Sequence, residues 1–359
     1  MRRLLLILVI FFLLAGCKAR ESINKESPVT YQAGYQVLEI PVQNRTVTTA
    51  LWYPTDASPS VYFYGGEQDN NQGQVAVNAP LAGKDDKTFP LFLYSHGFGG
   101  CALGSSYLGE SLAGKGWIVA APDHTDTINI CRTGAGHLSD DAWSLQREAQ
   151  KLVASGAAFD FDRYAYRPRD LNAVLEHLLS LEEFSSRILE DQMAVGGHSF
   201  GGYTSLAISG GLEDFSHHRF QAVVLHSPGI WLYNPAHFEK IESPVLYMLG
   251  EQEADNRRLD KTKLEWAHLL LDHIHAPGYY QEVANGNHFS FNTSQRDGIL
   301  SGLLSGSSQE LSVIRRQTTA FLELHVRDRE ESNQLLPDGA GISTYWTNSN
   351  VDEQSGRKR

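Results

Sequence analysis

Positive charge is scarce in this chain of 359 residues, which carries 30 Lys and Arg against 42 Asp and Glu and has a formal net charge of −12. No long run of lysine and arginine interrupts this acidic composition. An acidic surface repels phosphate backbones, so the composition argues against nucleic acid as a partner. The sequence also lacks an internal repeat of the kind that builds solenoids and propellers.

Long apolar runs are lacking except at the N-terminus. Residues 4–14 are almost entirely apolar and follow Arg2 and Arg3, but the run is too short for a comfortable transmembrane span. This pattern is typical of an export signal. It ends in Leu-Ala-Gly-Cys at Cys17, which resembles the lipobox of bacterial lipoprotein precursors. An ordinary secretory signal is the alternative.

The lipobox resemblance implies cleavage before Cys17, diacylation of its thiol and subsequent N-acylation. Two or three acyl chains anchor a protein stably, whereas a single chain does so only marginally. Lys18 stands where an aspartate would favour retention in the inner membrane. The expected location is therefore a bacterial membrane, the outer rather than the inner one, with the domain facing the periplasm or the cell surface.

Cysteine is also rare, with three residues in the chain. Besides Cys17 only Cys101 and Cys131 remain, and both lie in segments that the sequence predicts as loops above neighbouring strands. Two cysteines outside the cytoplasm can form a disulfide. A Cys101–Cys131 disulfide is therefore one prediction, and two separate buried thiols are the alternative.

The order of predicted elements indicates an α/β protein. From residue 89 onward, apolar strands alternate with amphipathic helices, which favours a mostly parallel sheet covered by helices on both faces. We divide the chain into a signal peptide with lipobox (1–17), a tether (18–34), a catalytic domain (35–327) and a polar C-terminal tail (328–359). Residues 54–88 are rich in Gly, Asn, Asp and Pro and are predicted as a long loop or insertion.

A Gly-x-Ser-x-Gly motif occupies residues 197–201, with the sequence Gly-His-Ser-Phe-Gly. Such a short string also arises by chance, so its context decides. A strand is predicted over 193–196 and a helix over 203–209, which is the strand–turn–helix setting of a nucleophile elbow in an α/β-hydrolase fold. Side chains at 197 and 201 would collide with that turn. The pattern predicts Ser199 as the nucleophile, with a glycine-rich structural turn as the alternative.

Residues 95–100, Ser-His-Gly-Phe-Gly-Gly, follow the strand predicted over 89–95. In α/β-hydrolases the loop at this place supplies one oxyanion N–H, and the residue after the nucleophile supplies the other. We therefore expect the backbone amides of Phe98 and Phe200 to form the oxyanion hole. His96 is interpreted as a structural hydrogen-bonding residue rather than a catalyst.

The general base should follow the last strand, because the chain order in this fold is Ser, acid, His. Residues 285–289, Asn-Gly-Asn-His-Phe, directly follow the strand predicted over 279–283, so His288 is the predicted base. His273 and His275 lie near a helix end and are interpreted as surface residues. Their His-x-His spacing lacks an evident third ligand, so the sequence predicts no metal site.

The acid should follow the strand predicted over 245–249, where residues 250–255 contain three carboxylates. Glu253 lies three residues past the glycine that ends the strand and is the preferred candidate, with Asp255 and Glu251 as alternatives. The acid only orients the histidine and stabilises its charged form, so glutamate can take the place of aspartate.

With these motifs the chain resembles the platelet-activating factor acetylhydrolase and dienelactone-hydrolase-like branch of the α/β-hydrolases. The resemblance covers residues 35–325 in motif order and depends on the segments 95–100, 121–126, 167–171, 197–202 and 287–289. The chain departs from the family in one respect. Plasma-type acetylhydrolases take their acid from just after the strand equivalent to residues 222–225, where this chain has His226 and Ser227. The acid is then expected from the next strand end, as in bacterial polyester hydrolases and cutinases.

Motif and resemblance together imply a serine esterase that forms an acyl-enzyme and needs no metal or organic cofactor. The expected substrate is a small ester or lipid, namely a short-chain ester or a short-acyl or oxidised phospholipid. Alternatives are a peptidase, lactonase or polyester hydrolase of the same fold, and a lipoprotein that binds without turnover. The intact Ser199 and His288 argue against the non-catalytic alternative.

Overall fold

The computed structural model describes residues 30–66, 71–83, 86–138, 142–216, 220–253, 261–293, 305–336 and 340–348. The predicted signal peptide and Cys17 lie outside these ranges. Among the described residues no helix is both long and apolar enough to cross a membrane.

The described part of the chain contains the following strands: β1 (Gln32–Val42), β2 (Arg45–Thr55), β3 (Ser60–Phe63), β4 (Gln72–Val77), β5 (Phe89–Ser95), β6 (Ile118–Pro122), β7 (Cys131–Arg132), β8 (Gly136–His137), β9 (Ile188–His198), β10 (Ala222–His226), β11 (Val245–Gly250), β12 (Gly278–Val283) and β13 (Ile342–Thr347). Its helices are α1 (Ser106–Ala113), α2 (Ala142–Ser155), α3 (Phe161–Tyr164), α4 (Tyr166–Ser180), α5 (Glu182–Ser185), α6 (Phe200–Leu206), α7 (Pro235–Phe238), α8 (Lys263–Leu271) and α9 (Ser308–His325).

Eleven strands form one sheet in the order β13-β12-β11-β10-β9-β5-β6-β2-β1-β4-β3. The central strands pair in parallel in the order β12-β11-β10-β9-β5-β6, and the hairpin of β1 and β2 joins β6 in antiparallel pairing. Parallel neighbours place their carboxyl ends at one edge of a sheet, and ligand sites in open α/β sheets lie at that edge. The loops after β5, β9, β10, β11 and β12 therefore meet above the middle of the sheet.

The core lies on both faces of the sheet, because successive strand residues point to opposite sides. On β10, Val223 packs with α4 and α6 on one face, whereas Val224 packs with α1 and α9 on the other. All five residues of β10 and all six of β11 are buried. Burial on both faces explains why these strands are nearly continuous apolar runs in the sequence.

The structure differs from the sequence prediction in two segments. Residues 328–359 were predicted as a polar tail, yet β13 lies within them and pairs antiparallel with β12 at the sheet edge. Residues 54–88 were predicted as a loop or insertion, yet β3 and β4 pair there and extend the opposite edge. Both are edge regions with many half-buried or exposed side chains, so they lack the apolar runs that revealed the central strands.

Candidate active site

Ser199 lies on a sharp turn between β9 and α6. Its φ of +55° is in the left-handed region, which non-glycine residues rarely adopt, and its N–H donates to the carbonyl of His226 at 2.9 Å. A Cβ at Gly201 would lie 1.9 Å from the carbonyl oxygen of Ser95, and one at Gly197 would lie 2.4 Å from the Gly201 backbone. Only glycine fits at either position, so the packing keeps the serine on its strained turn.

His288 lies beside this serine, on the loop after β12. Its Nε2 is 3.0 Å from Ser199 Oγ, and its side chain is 37% exposed. The loop turns through Asn285, which has a φ of +59°, and through a bond from the Gly286 N–H to the Val283 carbonyl at 3.0 Å. The tight turn brings the histidine back over the sheet edge, within hydrogen-bond reach of the serine hydroxyl.

Of the two predicted acids that the structure describes, Glu253 is the one beside the histidine. Its Oε2 is 3.4 Å from Nδ1 of His288, and its Oε1 accepts the Gly250 N–H at 2.7 Å. Burial raises the pKa of Glu253, but His288, together with the bonds from the Gly250 N–H and the Ser227 hydroxyl, lowers it overall. Glu251 is exposed and binds a backbone N–H of the loop after β12 instead. Asp255 lies outside the described residues.

Ser227, which follows β10, lies between the acid and the histidine. Its Oγ is 2.6 Å from Oε2 of Glu253 and 2.6 Å from Nδ1 of His288. It is 2% exposed and has a φ of +46°. The sequence analysis named Ser227 only because it stands where related enzymes carry the acid, and it assigned the residue no role. The signal that would have found it is its place at the end of a strand next to β9, at the same sheet edge as the nucleophile.

His198 supports the histidine loop from below. Its Nε2–H donates to the His288 carbonyl at 2.8 Å, and Nδ1 accepts from the Asn292 amide at 3.2 Å. Burial, followed by the nearby charge of His288, holds the pKa of His198 well below its ordinary value, so the ring is neutral. This side chain stands inside the Gly-x-Ser-x-Gly motif, and sequence reasoning assigned it no role.

Both predicted oxyanion residues flank the serine. Phe200 is the first residue of α6, where backbone N–H groups have no acceptor within the helix. Phe98 lies on the loop after β5, which runs so close to the elbow that a Cβ at Gly97 would be 3.3 Å from Cβ of Ser199. The two phenylalanine rings pack edge to face with centroids 6.0 Å apart.

A buried ion pair holds the loop that carries Phe98. Asp126 accepts two bonds from Arg167, at 2.9 and 2.6 Å, and one from the Gly99 N–H at 2.7 Å. Arg167 also donates to the carbonyls of His96 at 2.9 Å and Gly97 at 3.2 Å. Burial raises the pKa of Asp126, but Arg167 outweighs burial and lowers it to about 2. The pair therefore fixes the loop backbone at three points, on both sides of Phe98.

A second Ser–His–Asp set lies beneath this loop. Ser95 Oγ is 2.9 Å from Nε2 of His124, and Nδ1 of His124 is 2.9 Å from Asp170. All three are buried, with Ser95 and both other side chains at 0% exposure, so no substrate reaches this serine. His96 bonds to the Gly97 carbonyl and to the His124 N–H, which makes it part of the same scaffold.

A disulfide joins the oxyanion side of the site to the loop after β6. Cys101 and Cys131 are bonded, with Cα atoms 5.6 Å apart. Among the residues that the structure describes, no group of three or more His, Cys, Asp or Glu side chains is arranged to hold a metal ion. The described side chains that meet at the site are a serine, a histidine and a carboxylate, a set able to perform nucleophilic and acid–base chemistry.

A mostly parallel sheet flanked by helices, with a serine on the strand–helix turn and a histidine after the last parallel strand, defines an α/β-hydrolase. A family model agrees with this class. The model of platelet-activating factor acetylhydrolase, isoform II, matches residues 66–152 and 168–272, more than half of the chain. The chain belongs to this family and is a hydrolase of carboxylic esters.

Individual relatives are distant. The chain is 24% identical to platelet-activating factor acetylhydrolase of Canis lupus familiaris, over 90% of this chain and 81% of the dog protein. It is 26% identical to the Cavia porcellus enzyme of the same name, over 66% of this chain and 60% of that protein. The structure is similar to that of a ferulic acid esterase from Streptomyces cinnamoneus, with a TM-score of 0.64, 21% identity and coverage of 85% of this chain and 93% of the esterase.

Proposed function

We propose that the chain is a serine esterase in which Ser199 is the nucleophile, His288 the general base and Glu253 the acid. His288 Nε2 takes the hydroxyl proton while Oγ attacks the ester carbonyl carbon. The tetrahedral intermediate collapses, and His288 gives the proton to the departing alcohol. Water, deprotonated by the same histidine, then attacks the acyl carbon, and His288 returns the proton to Ser199 Oγ as the carboxylic acid leaves. The observation that carries this proposal is the 3.0 Å contact between Ser199 Oγ and His288 Nε2.

The oxyanion of each tetrahedral intermediate is held by the backbone amides of Phe98 and Phe200. One oxyanion donor is worth about 2.7–4 kcal/mol of barrier lowering. The buried Asp126–Arg167 pair supports this role, because it fixes the carbonyls and amide on either side of Phe98. The donors are thus held in place before the substrate arrives, which is what makes such stabilisation effective.

For substrate we propose a short-chain carboxylic ester, including a short-acyl or oxidised phospholipid. The relatives that match over most of this chain are named for removing an acetyl group from platelet-activating factor. Large apolar side chains are exposed on two segments that flank the site: Phe289, which follows His288, is 41% exposed, and Trp143, in the helix that carries Leu145, is 83% exposed. α2 packs on the oxyanion loop, since a Cβ at Gly99 would collide with Leu145. An apolar substrate finds contact area on this rim.

The proposal is tested with p-nitrophenyl acetate, p-nitrophenyl butyrate and a long-chain p-nitrophenyl ester. The purified chain is compared with Ser199→Ala and with Ser180→Ala, a matched control on the exposed end of α4. We expect hydrolysis that favours acetate and butyrate, that Ser180→Ala retains and that Ser199→Ala loses. Equal rates in Ser199→Ala and the wild type would exclude Ser199 as the nucleophile. A preference for the long chain would exclude the proposed substrate class.

A second candidate substrate is a polyester. It is favoured by the position of Glu253 after β11, the strand end expected to carry the acid in bacterial polyester hydrolases and cutinases. Release of soluble monomer from an aliphatic polyester film, compared with turnover of a short-acyl phospholipid, separates the two candidates. Film hydrolysis without phospholipid turnover would favour the polyester.

We also propose that the mature chain is a lipoprotein anchored through Cys17, in the outer membrane rather than the inner. The Tyr31 N–H donates to the carbonyl of Gly114, which follows α1 at the sheet edge opposite Ser199. The segment that would join Cys17 to the domain thus enters it on the side of the sheet away from Ser199. Incorporation of an alkynyl palmitate that Cys17→Ala abolishes is the expected result. Equal incorporation in both proteins would contradict the proposal.

A further inference from the structure

The hydrogen-bond geometry around His288 differs from a direct acid–histidine pair. A typical N–H···O bond joins atoms 2.7–3.2 Å apart. Nδ1 of His288 is 3.4 Å from Oε2 of Glu253, at the long end of what counts as a bond, but 2.6 Å from Oγ of Ser227. The serine hydroxyl is in turn 2.6 Å from the same carboxylate oxygen. The short path from the acid to the base therefore passes through a hydroxyl group.

The proton positions in this arrangement follow from the donor inventory. When His288 acts as a base at Nε2, its remaining proton is on Nδ1, so Nδ1–H is a donor. A serine hydroxyl has one proton and two acceptor lone pairs. Ser227 satisfies both neighbours only if it donates its proton to Glu253 and accepts the Nδ1–H of His288. The chain of bonds thus runs from His288 through Ser227 to Glu253 with a single direction.

The backbone of Ser227 carries strain that has no other evident use. Its φ of +46° lies in the left-handed region, and its N–H is held by the Met248 carbonyl at 2.7 Å. Glycine would adopt this conformation without cost, yet the chain has a serine here. Strained residues of this kind persist where the surrounding structure fixes them, and they cluster at functional sites.

We propose that Ser227 is a positioning residue that connects Glu253 to His288, so that the site operates as Ser199–His288–Ser227–Glu253. This inference rests on the proposed function of the same site. The hydroxyl keeps the proton on Nδ1, leaves Nε2 as the base and transmits the field of the carboxylate to the imidazolium that forms during turnover. Glu253 is itself held in place by the Gly250 N–H on its other oxygen.

The test uses two variants of the full chain that both remove the hydroxyl, Ser227→Ala and Ser227→Gly. Alanine keeps the strained φ, whereas glycine relieves it, so the backbone effect separates from the hydroxyl effect. We expect both variants to lower kcat for p-nitrophenyl acetate by about 10- to 100-fold, on the scale known for partners that orient metal-bound histidines. The KM should change little, because the hydroxyl does not contact the ester.

The second readout is the low-pH side of the plot of kcat/KM against pH, here called the acid limb. If Ser227 had a purely structural role, removing its hydroxyl would not move this limb. Without the hydroxyl, Glu253 stabilises the imidazolium less, and the limb should move to lower pH in both variants. Glu253→Gln should then cost much less in the Ser227→Gly background than in the wild type, because residues in one network are not additive.

The outcomes separate this inference from the proposed function. Rates within about twofold of the wild type and an unshifted limb in both Ser227 variants would overturn the inference while Ser199→Ala stays inactive. Loss in Ser227→Ala with wild-type rates in Ser227→Gly would assign the effect to backbone strain and also overturn it. Full hydrolysis by Ser199→Ala would overturn both. Thermal unfolding of each variant establishes that it is folded. If Ser227→Ala does not fold, the test is made with Ser227→Gly alone.

Discussion

Asp126→Asn tests whether the buried Asp126–Arg167 ion pair stabilises the protein and holds the loop that carries Phe98. The side chains of Asp126 and Arg167 are both 0% exposed, and the carboxylate accepts four hydrogen bonds, from two Arg167 nitrogens, the Gly99 amide and the Tyr166 hydroxyl. Asparagine leaves the guanidinium buried without a counter-charge. Breaking a buried pair in this way costs about 3–5 kcal/mol, against a typical domain stability of about 5–15 kcal/mol.

The assay is urea unfolding at pH 7 of four proteins: the wild type, Asp126→Asn, Arg167→Met and the double variant. Replacing both partners removes the unpaired charge, so the double variant should be more stable than the sum of the single losses implies, by about 2 kcal/mol or more. Hydrolysis of p-nitrophenyl acetate should fall in every variant, because the loop carrying Phe98 loses its anchors. A cost below about 1 kcal/mol in Asp126→Asn, or strict additivity, would refute this reasoning.

The same ion pair makes the free energy of unfolding fall as the pH is lowered. The folded-state pKa of Asp126 is lowered from 3.8 to about 2, because Arg167 outweighs the opposing effect of burial. The stabilisation is therefore complete above pH about 4 and is lost as the pH falls toward about 2. At 1.36 kcal/mol per pKa unit, the carboxylate contributes roughly 2–3 kcal/mol. Asp126→Asn should lack this part of the acid-induced loss, which urea unfolding between pH 2 and 5 measures.

Three further predictions concern the elbow, the disulfide and the acid. Gly201→Ala should destabilise the fold by about 1–3 kcal/mol or more, because its Cβ would meet a backbone carbonyl at 1.9 Å, and thermal unfolding measures this. Replacing Cys101 and Cys131 by alanine should cost about 3–4 kcal/mol in urea unfolding, the entropy of a loop with a sequence separation of 30. Glu253→Gln should lower kcat by up to about 10⁴-fold, whereas the exposed neighbour Glu251→Gln should leave esterase kinetics unchanged.

Sequence reasoning predicted the fold where local structure depends on local patterns. Strands buried on both faces appear as apolar runs, so the central sheet and the turn at Ser199 were predictable from the chain alone. The terminal position of His288 followed from chain order, and the structure brings it within 3.0 Å of Ser199. The acid was narrowed to three carboxylates, and the described geometry brings Glu253, rather than Glu251, to the histidine.

The features that escaped prediction depend on contacts distant in sequence or on half-exposed surfaces. Ser227 meets His288 across 61 residues and Glu253 across 26, and no local pattern records either contact. α2 presents mostly half-buried or exposed side chains, among them Trp143, and the sequence analysis assigned no helix to its residues. β13 lies at a sheet edge with partly exposed side chains, which hid it within a polar segment.

The most direct test of the catalytic assignment exploits the two Ser–His–carboxylate sets of this chain. Ser199 is partly exposed and contacts His288, whereas Ser95 contacts His124 but is fully buried. A fluorophosphonate reacts with an activated, accessible serine, and mass spectrometry of the digested protein identifies the modified residue. We expect one label per chain, on Ser199, and no label on Ser199→Ala. A label on Ser95, or an unchanged label in Ser199→Ala, would contradict the assignment of the nucleophile.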